Sequence, residues 1–167
     1  MVARLADGRL SGGGSAFVPG AGRGHDALAI GQAGWIVTAL DFAESLRARL
    51  AERMAGVGGT VVIGDAFGYK GGPFDLVFDH TFFCAIEPDR RPLFGALVDR
   101  VTRPGTRLVS VVFPIGRAHS QSGPPWGVLV EDITRALSSV WTLTVDEPAI
   151  DPPGREWPAR WAEWERG

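Results

Sequence analysis

Apolar runs of strand length alternate with segments of helical period along most of the 167 residues, and this alternation constrains the fold more than any other feature. Ser15 to Val18 reads as a first strand closed by Pro19-Gly20, and His25 to Ala33 as a helix stopped by Gly34. Trp35 to Leu40 is a second strand, ending at Asp41. Phe42, Leu46, Leu50 and Met54 then recur every four residues, as one face of a helix does, until Gly56, Gly58 and Gly59 stop it. Thr60 to Ile63 and Phe74 to Phe78 follow as strands three and four. Asp89 is placed to cap a helix with Leu93, Phe94, Leu97, Val98 and Val101 facing inward. Pro92 falls in its first turn, where a missing N–H is harmless, and Pro104-Gly105 ends the element. Arg107 to Phe113, the most apolar run, reads as the central strand. Val128 to Leu137 reads as a fifth helix and Trp141 to Val145 as a sixth strand. In the tail, Trp157, Trp161 and Trp164 have helical spacing, but Pro158 opposes a helix. The βαβαβ order predicts an α/β fold with a mostly parallel sheet and helices on both faces. No repeat, linker or low-complexity block divides the chain, so one domain over residues 1–167 is expected.

The 23 glycines and 12 prolines fit the many tight turns such a fold needs. Net charge is −2 and the cations are dispersed, with Lys70 the only lysine, which argues against a nucleic-acid or membrane-surface partner. Cys84 is the single cysteine, so an internal disulfide and any CxxC metal or redox site are excluded. No segment reaches the roughly 18 apolar residues of a membrane span, and Met1 to Leu10 does not read as a signal peptide. The expected compartment is the cytoplasm and the expected partner a small molecule. Oligomeric state is not readable.

In open α/β sheets, ligands bind beyond the carboxyl ends of the strands. After strand one stands Gly20-x-Gly22-x-Gly24, whose glycines let the backbone turn sharply while the next helix aims its N–H groups at the same place. A dinucleotide fingerprint, GxGxxG, would put its third glycine at position 25, which is His25. The spacing found, GxGxG, is similar to that of methyltransferases that use S-adenosyl-L-methionine (SAM). A glycine-rich turn without a ligand is the plain alternative. Asp41 ends strand two, where a carboxylate can accept both ribose hydroxyls, and Asp65 ends strand three, where an acid commonly meets the adenine amino group. Taken singly, each acid would by default be a capping or solvated residue; three sites at three successive strand ends are harder to dismiss.

The run Phe74-Asp75-Leu76-Val77-Phe78-Asp79-His80-Thr81-Phe82-Phe83-Cys84-Ala85-Ile86 carries a more specific signal. With Val18 to Asp26, Gly64-Asp65-Ala66-Phe67 and Gly123-Pro124-Pro125, it closely resembles the thiopurine S-methyltransferase superfamily. The Asp79-x-Thr81-Phe82-Phe83-Cys84-Ala85 form is most similar to the thiol and halide methyltransferase branch. The resemblance runs from about Gly12 to the C-terminus. It implies a Rossmann-like, class I methyltransferase fold: a seven-stranded sheet whose last strand is antiparallel, with Arg155 to Trp164 supplying strand seven. It also implies SAM contacts at Gly20, Gly22, Gly24, Asp41, Asp65, Ala66, His80 and Thr81. Position 80 is often an aromatic ring in the family, and here it is histidine. Family members carry a tryptophan-bearing N-terminal segment that folds over cofactor and acceptor. Here residues 1–13 are a short remnant without Trp, so a lidless site with a groove over Gly20 and His80 is expected.

Methyl transfer from a sulfonium is an in-line displacement, and a thiolate or halide is already a good nucleophile. No metal cluster and no GxSxG elbow is present or needed. Phe82, Phe83 and Trp126 are candidate walls for an apolar acceptor pocket, with core packing as the alternative for the two phenylalanines. His80 either assists thiol deprotonation or serves the cofactor as a flat polar ring. Cys84 reads as a buried small hydrophobe, His119 as a loop residue that could face the acceptor, and Arg90-Arg91 as a helix-start pair with local acids. Two functions stay open: an active SAM-dependent methyltransferase for a small soft nucleophile, and a lidless SAM-binding homologue with little activity. A nucleotide-cofactor oxidoreductase is nearly excluded by the GxGxG spacing.

Overall fold

A computed structural model describes residues 8, 10–118, 122–150 and 156–167. Seven strands form one sheet: β1 Ser15–Pro19, β2 Ile36–Asp41, β3 Thr60–Ile63, β4 Phe74–His80, β5 Thr102–Val112, β6 Trp141–Pro148 and β7 Arg160–Arg166. Four α-helices connect them: α1 His25–Gln32, α2 Arg47–Ala55, α3 Pro92–Arg100 and α4 Val130–Ala136. The strand order is β3-β2-β1-β4-β5-β7-β6. The β1–β2, β2–β3, β1–β4 and β4–β5 pairs are parallel, and β7 runs against both of its neighbours. This is the predicted α/β sheet with its antiparallel seventh strand. Because β1 and β4 are adjacent and central, the exits of β1, β2 and β4 lie side by side.

Two apolar clusters cover the two faces. Phe17, Val77, Phe94, Leu97, Leu108 and Trp164 belong to one, and Ile30, Val37, Leu50, Phe78, Val109 and Trp161 to the other. Trp161 and Trp164 are therefore strand residues of opposite parity, one on each face of β7. Their helix-like spacing arises because this strand is buried on both sides. Arg155, the expected start of that strand, lies outside the described residues, and β7 begins at Arg160.

Other boundaries moved for local reasons. Phe42 is not on the helix: it is 82% exposed, and a 3-10 turn, Glu44–Leu46, precedes α2. Asp89 caps nothing. It sits in another 3-10 turn, Pro88–Arg90, and Arg91 takes the N-cap of α3. Leu93 is 40% exposed, whereas Phe94, Leu97 and Val98 carry the buried face. Pro104-Gly105 lies inside β5 rather than before it, at a bulge where Phe74 pairs with Thr102 but Leu76 with Arg107. An extra length of chain accommodated in one strand leaves room for proline and for Gly105 at φ 83.

Candidate active site

The glycine loop packs directly on the β4 exit. Gly20 has φ 62, and a Cβ there would stand 2.8 Å from Cδ2 of Phe82, so no other residue fits. The Ala21 N–H donates to Leu40 O at 2.9 Å, tying the turn to β2, and Gly24, at φ 76, is the N-cap of α1. Asp41 is 6% exposed. Its Oδ2 accepts from the Gly22 N–H at 2.8 Å and its Oδ1 from the Ala43 N–H at 3.0 Å. Each oxygen keeps a further lone pair, so the carboxylate braces the loop and can still accept from a ligand. Asp65 is exposed and uses Oδ1 to accept from the Phe67 N–H at 3.0 Å, capping the 3-10 turn Ala66–Gly68. Its local capping role is thus real, and it borders neither cavity described below, whereas Ala66 does.

At the end of β4 stands a residue to which sequence reasoning assigned no role. Asp79 is 1% exposed; its Oδ1 accepts from the Phe82 and Phe83 N–H groups at 3.1 and 3.0 Å, and its Oδ2 from the Ser110 hydroxyl at 2.6 Å. Burial pushes its carboxyl above the usual carboxylate range, against the lowering effect of these hydrogen bonds. An acid at a strand end, three and four residues before the amides it binds, was the available signal. The loop it folds carries Thr81 at φ 70, the only non-glycine with positive φ among the described residues. A β-branched residue there stores roughly 1–3 kcal/mol of strain.

Two adjoining cavities meet at Gly20 and Thr81. One, of about 350 Å³, is walled by Asp41, Phe42, Ala66, Phe67 and Phe82, together with Ile86 and Arg90. The Arg90 guanidinium lies 5.8 Å from the centre of the Phe67 ring. The other, of about 340 Å³, is walled by Gly20, Gly22, Arg23, Asp26 and His80. His80 Nδ1 and Asp26 Oδ2 are 2.7 Å apart. Phe42, Thr81 and Arg90 are exposed, so the groove opens to solvent.

The candidate acceptor walls separate. Phe82 borders the first cavity beside Asp41, on the same side as the acid expected to hold ribose. Phe83 is a core residue: it is 1% exposed, meets Phe94 edge-on at 5.0 Å, and lies under the Arg91 guanidinium at 5.1 Å. Trp126 borders neither cavity; its N–H donates to Cys84 O at 2.7 Å, and its buried Nε1 has no partner among the described residues. Cys84 is buried and its thiol is pushed up to about 12 by desolvation and the nearby Asp79, so it is no nucleophile. Arg91 pairs with Asp132 at 3.4 Å and donates to Gly127 O at 2.8 Å, while Arg90 faces the cavity. His119 lies outside the described residues.

The family model for thiopurine S-methyltransferase matches residues 2–156. A probable thiol methyltransferase 2 of Arabidopsis thaliana is 31% identical over 158 residues, which is 89% of this chain and 69% of the relative. Thiocyanate methyltransferase 1 of Brassica oleracea is 33% identical over 145 residues, or 84% of this chain and 63% of the relative. Among solved structures, a glycopeptide N-methyltransferase complexed with S-adenosylhomocysteine superposes with a TM-score of 0.79 at 17% identity, covering 99% of this chain and 88% of that one. Magnesium protoporphyrin IX methyltransferase from Synechocystis, with the same product bound, gives 0.78 at 19% identity, covering 99% and 80%. The strand order, the glycine loop and these matches lead to one assignment: the chain belongs to the thiopurine S-methyltransferase family, the SAM-dependent methyltransferases.

Proposed function

We propose that this enzyme methylates a small, soft nucleophile: a thiol, hydrosulfide or halide. The observation that carries the reading is a groove across the exits of β1, β2 and β4, with the buried carboxylate of Asp41 at one end and, among the described residues, a single acid at the other, Asp26 paired with His80. The thiol and thiocyanate methyltransferases among its relatives support the same acceptor class.

The residues present fit SAM. Asp41 has two lone pairs to spare beside a cavity whose apolar walls, Phe42, Phe82 and Ile86, suit an adenine ring. Ala66 borders the same space, while Asp65, which lines neither cavity, caps the turn that carries Ala66. Gly20, Gly22 and Thr81 bring main chain to the methionine end, beside His80, whereas Gly24 borders neither cavity and starts α1 against Leu50. Bound there, the sulfonium supplies a methyl group activated for displacement. The protein's work is to align the acceptor and exclude water. Phe82 walls the Asp41 end of the groove, Phe83 is a core residue and Trp126 borders neither cavity, so the acceptor is placed beside His80, at the methionine end. A cytoplasmic location and a small-molecule acceptor, rather than nucleic acid, complete the proposal; no helix among the described residues is long and apolar enough to cross a membrane.

Calorimetry with SAM, S-adenosylhomocysteine and NAD, followed by an acceptor series, tests it. SAM and its product should bind and NAD should not. Transfer to hydrosulfide or small thiols should rise with pH as the thiolate forms, since a thiol of pKa near 8.5 is only about 3% ionised at pH 7. Efficient methylation of a phenol or carboxylate, with thiols inert, would overturn the acceptor class.

A further inference from the structure

The geometry points to His80 as the proton acceptor for a thiol substrate, with Asp26 as the positioning residue that fixes its tautomer; this rests on the thiol reading above. The two side chains meet across 54 positions of sequence, from the end of β4 to the first turn of α1, at 2.7 Å. An ionised carboxylate has no proton to give, so Nδ1 donates and Nε2 keeps its lone pair. Among the described residues Nε2 has no protein partner. The side chains are 24% and 27% exposed and both border the 340 Å³ cavity, sheltered yet reachable by a small molecule. An aromatic hydrocarbon ring at position 80 would fill the same place and accept no proton.

The charged and titratable groups around the ring are few. Arg23, His25 and Asp26 come from the glycine loop and α1, and Asp79 precedes His80 on β4. Arg53 of α2 is engaged by His25 at 2.6 Å, and the β5 register partner of His80 is the uncharged Val111. Only Asp26 bonds the imidazole.

In the step, the acceptor's S–H proton passes to Nε2, giving an imidazolium whose charge Asp26 offsets. The freed sulfur pair forms the new S–CH₃ bond as the methyl's bond to the sulfonium breaks, and that electron pair stays on the departing thioether. The imidazolium returns its proton to water. Thiol and sulfonium thus yield a methyl thioether, S-adenosylhomocysteine and one proton.

Two measurements test this, one without turnover. Imidazole ¹⁵N NMR of the protein without cofactor should show His80 as the Nδ1–H tautomer, giving way to a mixture in Asp26→Asn; a predominant Nε2–H tautomer in the unsubstituted protein overturns the proposal. The second is the ratio of thiol to iodide methylation, because iodide carries no proton. His80→Phe should lower that ratio about ten-fold or more at pH 7, up to the roughly thirty-fold set by the ionised fraction, and the ratio should recover above pH 9. His80→Gln, which keeps a polar side chain, should show the same fall. An unchanged ratio with weakened SAM binding makes the ring a cofactor contact and overturns the proposal. A protein inert to both thiols and iodide overturns the acceptor reading instead.

Discussion

The exits of β1, β2 and β4 and the β5–β7–β6 end of the sheet are held by different forces. At the exits, Asp41 and Asp79 accept main-chain N–H groups, Thr81 is strained, and the groove lies open to solvent. At the other end, Trp161 and Trp164 are 1% and 0% exposed on opposite faces of β7. Each indole N–H is satisfied inside, Trp161 by Glu163 at 2.7 Å and Trp164 by Thr134 at 3.0 Å. Polar bracing can be shared with a ligand, because a carboxylate has spare lone pairs; an indole in a packed core has nothing to share. Binding and stability should therefore separate along the sheet.

The largest separation is expected at Trp164→Ala. Truncating a fully buried ring costs about 3–5 kcal/mol, while SAM affinity, read by calorimetry below the melting temperature, should stay unchanged. Loss of affinity in a protein that remains folded would erase the division.

Asp79 sharpens it from the other side, since it is as buried as the tryptophans yet belongs to the exits. Asp79→Ala strands two amides and a hydroxyl and should cost about 3 kcal/mol in urea unfolding, with weaker cofactor binding as well. Asp79→Asn should cost far less, because the amide oxygen still accepts both N–H groups. The folded protein holds the Asp79 proton more tightly than the unfolded chain. Stability from this group therefore falls as pH rises from the ordinary carboxylate pKa through the raised one. The Asn variant should lack that slope, and an identical pH profile would contradict it.

Asp41→Ala should remove a charge-assisted contact of about 1.5–3 kcal/mol, roughly ten-fold or more in SAM affinity. Unchanged affinity would take Asp41 out of the site. Smallest is Thr81→Asn. Asparagine tolerates positive φ, so relief of about 1 kcal/mol should raise Tm by about 2–4 °C. A lower Tm would show that Thr81 is not strained.

Strand and helix alternation was legible because burial imposes a period; β3 came out residue for residue at Thr60–Ile63. The glycine loop was legible because no other residue type turns as Gly20 does against Phe82. The tail's spacing alone left strand and helix open, because a strand buried on both faces places its large rings without period two; the family resemblance supplied the strand. The His80–Asp26 pair was beyond reach, since 54 positions separate the partners and only the fold unites them. Phe82 and Phe83 are adjacent and alike in composition, and only the loop conformation that Asp79 imposes sends one to the groove and the other to the core.

That Asp79 holds residues 82 and 83 by their main-chain N–H groups, with the Ser110 hydroxyl on its other oxygen, has an evolutionary consequence. The turn it builds is indifferent to what residues 82 and 83 carry beyond Cα, so descendants can exchange the groove-facing side chains, Phe82 and the downstream Ala85 and Arg90, without rebuilding the turn. The side chains that wall the Asp41 end of the groove can drift while the turn that Asp79 builds is inherited intact.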